Sequence, residues 1–187
     1  MIIDPNANDM GGSGPRPKVR PGRKLVHAVG VEFAKSMAGN PKADVRFVVI
    51  SDPDETNGQS DVSGFVWLNF VMIDSALWKL QQMSRAVGWT TPFDTEDQKA
   101  VTKVLMNAPI WVELELETYN GKQRLGLTRR GQLFSQFGGE MTEAMQQVVK
   151  SGVEYHKQGA AGNFNRQSKP KPPQGGQAFF DGDDIPF

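Results

Sequence analysis

The stretch PIWVELELETYNGKQRLGLTRR, residues 109–130, decides the fold. From Pro109 to Tyr119 apolar and polar residues alternate strictly, which is the period of a strand with one covered face. Ile110, Val112, Leu114 and Leu116 fall on the inward face, and Trp111, Glu113, Glu115 and Glu117 on the outward one. Asn120-Gly121 follows, a pair that accepts positive φ and so suits the two-residue turns whose twist matches a hairpin. The chain then pairs back over Lys122 to Arg130, with Leu125 and Leu127 inward and Arg124, Thr128 and Arg130 outward. Arg129 shares the parity of the leucines, which assigns it to the fraying end of the strand.

Upstream, three further strands are expected. Arg23 to Ala34 puts Leu25, Val29, Val31 and Phe33 on one parity and Lys24 and Glu32 on the other. A loop over Lys35 to Lys42, marked by Gly39-Asn40-Pro41, leads to a β-branched second strand, Ala43 to Ser51. After Asp52-Pro53-Asp54-Glu55 and Asn57-Gly58, the third strand, Val62 to Ile73, is apolar on both parities, as where a sheet curls and is covered twice. The period then changes. Leu77, Leu80, Met83, Ala86 and Val87 make a helix closed by Gly88, and Asp94 with Asp97 caps a second one reaching about Met106. A last helix is expected from Gln132 or Glu140 to Lys150, with Met141, Met145, Val148 and Val149 on one face. The expected class is mainly β: a five-stranded, OB-like Greek-key barrel with a helical insert between strands three and four, a C-terminal helix and disordered tails. An unrelated α+β sheet with the same element order is the alternative.

The 187 residues, 38% hydrophobic and 22% charged, suit one compact domain with tails. Cysteine is absent, which excludes disulfides and thiolate metal sites and fits a reducing cytoplasm. No basic leader and no run of 18 apolar residues is visible, so a soluble, cytoplasmic chain is expected. Net charge is zero, but it is segregated: Pro15 to Arg46 holds eight basic and two acidic residues, and Gly121 to Lys171 nine basic and three acidic. Such blocks make local basic surfaces on a neutral total. The expected organisation is a flexible basic arm (1–20), a globular domain (21–150), a Gly-, Gln- and Pro-rich disordered linker (151–180) and an acidic tip (181–187).

The tip, Asp181-Gly182-Asp183-Asp184-Ile185-Pro186-Phe187, has chemistry that can be read directly. Pro186 biases Ile185 to an extended conformation. Ile185 and Phe187 suit an apolar pocket, and Asp181, Asp183, Asp184 and the terminal carboxylate suit a basic rim. Burying about 200 Å² of apolar surface gives roughly 5 kcal/mol, much of it offset by ordering the peptide, so micromolar docking is expected. A tip of this kind after a Gly/Gln/Pro-rich linker resembles the ending of bacterial single-strand-binding proteins, although Gly182 interrupts the acidic run.

The body resembles a phage or prophage family of single-strand-binding proteins from recombination and replication gene clusters. The likeness covers about Pro21 to Arg130. It lies in Lys35-Ser36 with Gly39-Asn40-Pro41, the strand Val45 to Ile50, the helix ending at Ala86-Val87-Gly88, and the hairpin Tyr119-Asn120-Gly121-Lys122. The resemblance implies an OB-fold that coats single-stranded DNA with little sequence preference and recruits a helicase, nuclease, annealase or primase through its tip. Such binding needs cations for phosphates and flat side chains for bases. The candidates are Lys35, Lys42, Arg46, Phe65, Trp67, Asn69, Tyr119, Lys122, Arg124, Thr128 and Arg130. Phe65 and Trp67 read equally well as core residues. Phe47 and Trp78 read as core, Trp89 as a cover for the barrel's open end, and Trp111 as packed under the helical insert or a neighbouring subunit.

No enzyme is expected, and no cofactor or metal. His27 alternates with Leu25 and Val29 and reads as structural, while His156 falls near the linker. The Asp52 to Glu55 cluster sits where a turn wants Asp and Pro anyway. No phosphate-cradling Gly loop with Lys-Ser/Thr is present. Two other classes stay open: a recombination mediator or adaptor acting through protein contacts, and a small metal-dependent nuclease using Glu113, Glu115 and Glu117.

Overall fold

The computed structural model describes residues 18–55, 58–119, 122–128 and 132–164. The elements run β1 (Gly22–Lys35), β2 (Pro41–Ser51), β3 (Phe65–Val71), α1 (Leu77–Ala86), α2 (Gln98–Leu105), β4 (Ile110–Tyr119), β5 (Lys122–Leu127), β6 (Phe134–Gln136) and α3 (Glu143–Phe164). A 3-10 turn at Asp74–Ala76 leads into α1. The fold is mainly β, one antiparallel sheet in the order β3-β2-β1-β4-β5, with β6 also paired to β4. Among the described residues six strands therefore stand where five were expected. β5 pairs with β4 over Leu114 to Tyr119 and β6 over Ile110 to Val112. A three-residue strand is too short to show a period.

β1 curls the sheet. It pairs with β4 over Gly22–Val26 and with β2 over Leu25–Lys35, and its register shifts at Leu25/Val26 and again at Ala28/Gly30. The second shift inserts one residue in β1, and a one-residue insertion exchanges the faces. Val26 and Ala28 before it, and Val31 and Phe33 after it, pack on the main core; Leu25 and Val29 point to the opposite side. The single parity expected for Leu25, Val29, Val31 and Phe33 fails for that reason.

Two apolar clusters result, one on each face of the sheet. The larger joins the inward residues of β1 to β4 with Phe134, with Leu80 and Met83 of α1, and with Val101, Val104 and Leu105 of α2. The smaller joins Leu25, Val29, Val48 and Ile50 to Met145, Val148, Val149 and Val153 of α3. Local signals set the helix ends. Gly88, at φ 73°, lets its own N–H reach Arg85 O (3.0 Å) and that of Trp89 reach Ser84 O (2.9 Å), which stops α1. Asp97 caps α2 by accepting from the N–H groups of Lys99 and Ala100. Asp94, expected to share that role, instead accepts from the N–H of Glu96 in the preceding turn.

α3 runs to Phe164, fourteen residues past the end expected at Lys150, so the linker boundary at 151 falls inside a helix. Gly152 is buried there. A Cβ at that position would meet Val29 Cγ1 at 3.0 Å and Val48 at 3.4 Å, so the helix approaches the sheet through a residue without a side chain. Among the described residues no helix is long and apolar enough to cross a membrane.

β3 begins at Phe65, not Val62, because the preceding turn belongs to an ion network. Lys24 Nζ lies 2.5 Å from Asp52 Oδ1 and 3.0 Å from Asp61 Oδ2. Arg20 Nε donates to Asp61 Oδ1 at 3.0 Å, and its Nη2 to Asp52 Oδ2 at 3.2 Å and to Gln59 O at 2.6 Å. Lys24 is only 1% exposed. Burial opposes every one of these charges, yet the pairing outweighs it: Lys24 sits above its usual pKa, and Asp52 and Asp61 sit below theirs. Lys24, on the polar parity of the first strand, is thus engaged in the interior, and Arg20, at the end of the expected basic arm, pairs with the same carboxylates from the surface side.

Candidate nucleic-acid interface

β3 alternates cleanly. Val66, Leu68 and Phe70 face the main core, leaving Phe65, Trp67 and Asn69 on the outer face. Arg46 of β2 is the register partner of Trp67. Its guanidinium carbon lies 4.2 Å from the Trp67 ring centroid and 5.6 Å from that of Phe65, a cation held against two aromatic faces. The sequence grouping of Arg46, Phe65, Trp67 and Asn69 is therefore a spatial one. Of its two readings for the aromatics, Trp67 is at the surface, 44% exposed, whereas Phe65 packs against the smaller cluster.

α3 covers part of this face. Tyr155 stacks on Phe65 at 5.1 Å between centroids, and its ring lies 5.8 Å from the Arg46 guanidinium. His156, assigned by sequence to the edge of the linker, sits in α3 against Gly30, where any Cβ would collide with the imidazole. Its Nδ1 is buried without a hydrogen-bond partner among the described residues. Burial, with the nearby Arg46 charge, lowers its pKa against the opposing pull of Glu32.

Beside the outer face lies a cleft. β3 and β5 end the strand order, approach each other and leave about 960 Å³ between them. Leu68, Leu125, Leu127 and Leu133 contribute apolar lining, with Phe65, Trp67 and Asn69 on one side and Glu117 and Arg124 on the other. Trp78 and Lys79 of α1 also line it. Trp78, expected in the core, is 51% exposed. The stripe Leu77, Leu80, Met83 and Val87 already uses the core-facing side of that helix, and one residue on is about 100° round it. That signal was present in the sequence and outweighed by the general preference of aromatics for cores. Lys79 Nζ donates to Asn69 O at 2.6 Å. Burial pushes its pKa down to about 8; Glu117 opposes this and Arg124 adds to it. Arg124 Nε donates to Glu117 Oε1 at 2.7 Å.

The remaining candidates scatter. Lys35 and Lys42 line a second cleft of about 670 Å³ with Phe33, Met72 and Glu96, and Lys42 pairs with Asp44 at 2.5 Å. Thr128, expected outward, is buried, its hydroxyl 3.4 Å from Glu115 Oε2. Leu116, expected inward, is 54% exposed, because the inward row of β4 in the core ends at Leu114. Trp111 does not pack under the insert. It meets Phe137 edge-on at 6.3 Å and Arg23 at 4.7 Å in the cluster that α3 closes. His27 donates from Nδ1 to Ala28 O at 2.8 Å and is partly buried. Tyr119 and Lys122 are register partners at the β4–β5 turn. Their side chains, Arg129, Arg130, residues 1–17 of the arm and the tip with Asp181, Asp183, Asp184, Ile185, Pro186 and Phe187 lie outside the described residues. Compared with protein-family models and with curated proteins, the sequence matches none.

Proposed function

We propose that this chain binds single-stranded DNA with little sequence preference, coats it during replication or recombination, and recruits partner proteins through its acidic tip. The carrying observation is the Arg46 guanidinium lying over Trp67 on the outer face of β3, next to a cleft lined by Trp78, Lys79 and Arg124. Flat rings interleaved with cations are what a strand of stacked bases and phosphates requires. The sheet order β3-β2-β1-β4-β5, with β3 and β5 approaching each other, supports reading the sheet as an OB-like barrel. The phage-type resemblance of the body and the bacterial resemblance of the tip support the same reading.

Titrating intrinsic Trp fluorescence with oligo-dT tests it. Quenching that weakens with salt, at a log–log slope near −3 for about four phosphates, and that duplex DNA does not reproduce, is the expected result. No binding of oligo-dT at low salt rejects the reading. An adaptor acting through protein contacts is the second reading, favoured by one observation: α3 covers the Phe65 end of the face a strand would use.

A further inference from the structure

The cleft between β3 and β5 has features that a generic basic surface lacks. Its lining mixes a leucine-rich floor with polar groups at its sides, and it holds a half-exposed indole, Trp78, beside a partly desolvated ammonium, Lys79. A pocket of about 960 Å³ is within the range of small-ligand sites. Building on the single-strand reading above, we infer that this cleft receives one unstacked nucleobase of the bound strand, with Trp78 as its stacking surface and Lys79 as the contact to the adjoining phosphate.

Three features favour a base over other occupants. A peptide strand added between the two sheet edges needs about 9.6 Å from edge to edge, twice the spacing of paired strands, whereas β3 and β5 come within 8 Å of each other between Cα atoms. The carbonyl of Asn69 on the β3 edge already accepts from Lys79. A base presents both donors and acceptors at its rim, and the Arg124–Glu117 pair offers both in return. Lys79 completes the fit, because its ammonium is held at the cleft by one carbonyl and retains donors for a phosphate. α3 meets this side of the sheet at Phe65 and Arg46, and none of its residues 143–159 lines the cleft.

The test uses the full chain and fluorescently labelled oligo-dT carrying 5-iodouracil at one position, with affinity read by anisotropy and contact read by photocross-linking. Trp78→Ala is expected to weaken oligo-dT about tenfold, in line with the loss of one stacked base. Trp78→Phe, which keeps a ring, is expected to weaken it less than threefold, and the cross-linked peptide is expected to contain Trp78. Wild-type affinity in Trp78→Ala with cross-links only elsewhere overturns the pocket while leaving single-strand binding intact; a cleft built for a peptide gives the same result. No oligo-dT binding by the wild-type chain overturns the single-strand reading, and the pocket with it. If Trp78→Ala fails to fold, the Trp78→Phe affinity and the cross-link site decide.

Discussion

Tyr155 of α3 lies over Phe65 of β3 with ring centroids 5.1 Å apart and planes 24° from parallel. A helix and a strand thus meet through stacked rings on the face that also carries Arg46 and Trp67. An aromatic pair contributes about 1 kcal/mol beyond its buried area, so Tyr155→Ala should lower the unfolding free energy by at least that much in urea titration. It should also uncover Phe65 and Arg46, raising oligo-dT affinity a few-fold in anisotropy measurements. A loss of affinity would mean instead that Tyr155 is itself a stacking surface for the strand.

Gly152 sets how near α3 comes to the sheet. Ala there gains about 1 kcal/mol of helix propensity, but its Cβ sits 3.0 Å from Val29 Cγ1, so the two effects should nearly cancel. Val adds two further methyls against Val29 and Val48 and should destabilise by about 2 kcal/mol, as overpacking does. Urea midpoints of the two variants decide; a stabilised Gly152→Val would show that helix and sheet are loosely packed there.

The β4–β5 hairpin could be read from residues 109–130 because alternation and the Asn120-Gly121 turn signal agree. The core stripe of α1 and its stop at Gly88 were equally plain, since helical spacing and capping glycine are local. What escaped depends on partners distant in sequence. The bulge in β1 moves Leu25 and Val29 to the face opposite Val31, and nothing in those residues announces an inserted position. Gly152 reads as a helix breaker in isolation and serves as a close-contact residue once Val29 and Val48 lie across from it. Lys24 reads as a surface cation until Asp52 and Asp61, from a later loop, meet it in the interior. For the site, strand parity brought Arg46, Phe65, Trp67 and Asn69 together. The cleft exists only where two sheet edges approach, so Trp78 and Lys79 were visible as letters and not as neighbours.

Asp52 accepts from both Lys24 and Arg20 with no exposed side-chain surface. Removing one member of a buried ion pair leaves the others uncompensated, so Asp52→Asn should cost about 3–5 kcal/mol. The pH dependence follows. Asp52 and Asp61 titrate below their usual 3.8, so their contribution is complete above that value and is lost as pH falls through their lowered pKa values. Lys24, raised above 10.5, contributes below that value and loses its contribution as pH climbs through its folded pKa. Denaturation midpoints measured in acid should fall less steeply for Asp52→Asn than for wild type. Parallel acid limbs would place the acid sensitivity elsewhere.

Lys79 should act in the opposite sense to Lys24. Its pKa is near 8 folded and 10.5 unfolded, with Glu117 and Arg124 as the charged groups facing it. Between those values the unfolded chain binds more protons, so stability should rise as pH goes from about 8 to 10.5, and its burial penalty should be constant below 8. Lys79→Met, which keeps the stem and drops the charge, should lose that rise in thermal melts across the same range. A constant offset between the two proteins at every pH would reject the assignment. Binding should move the other way: a phosphate contact needs the ammonium, so wild-type oligo-dT affinity should fall above pH 8, and that of Lys79→Met should be weaker below pH 8, flatter with pH, and approached by the wild type as pH rises.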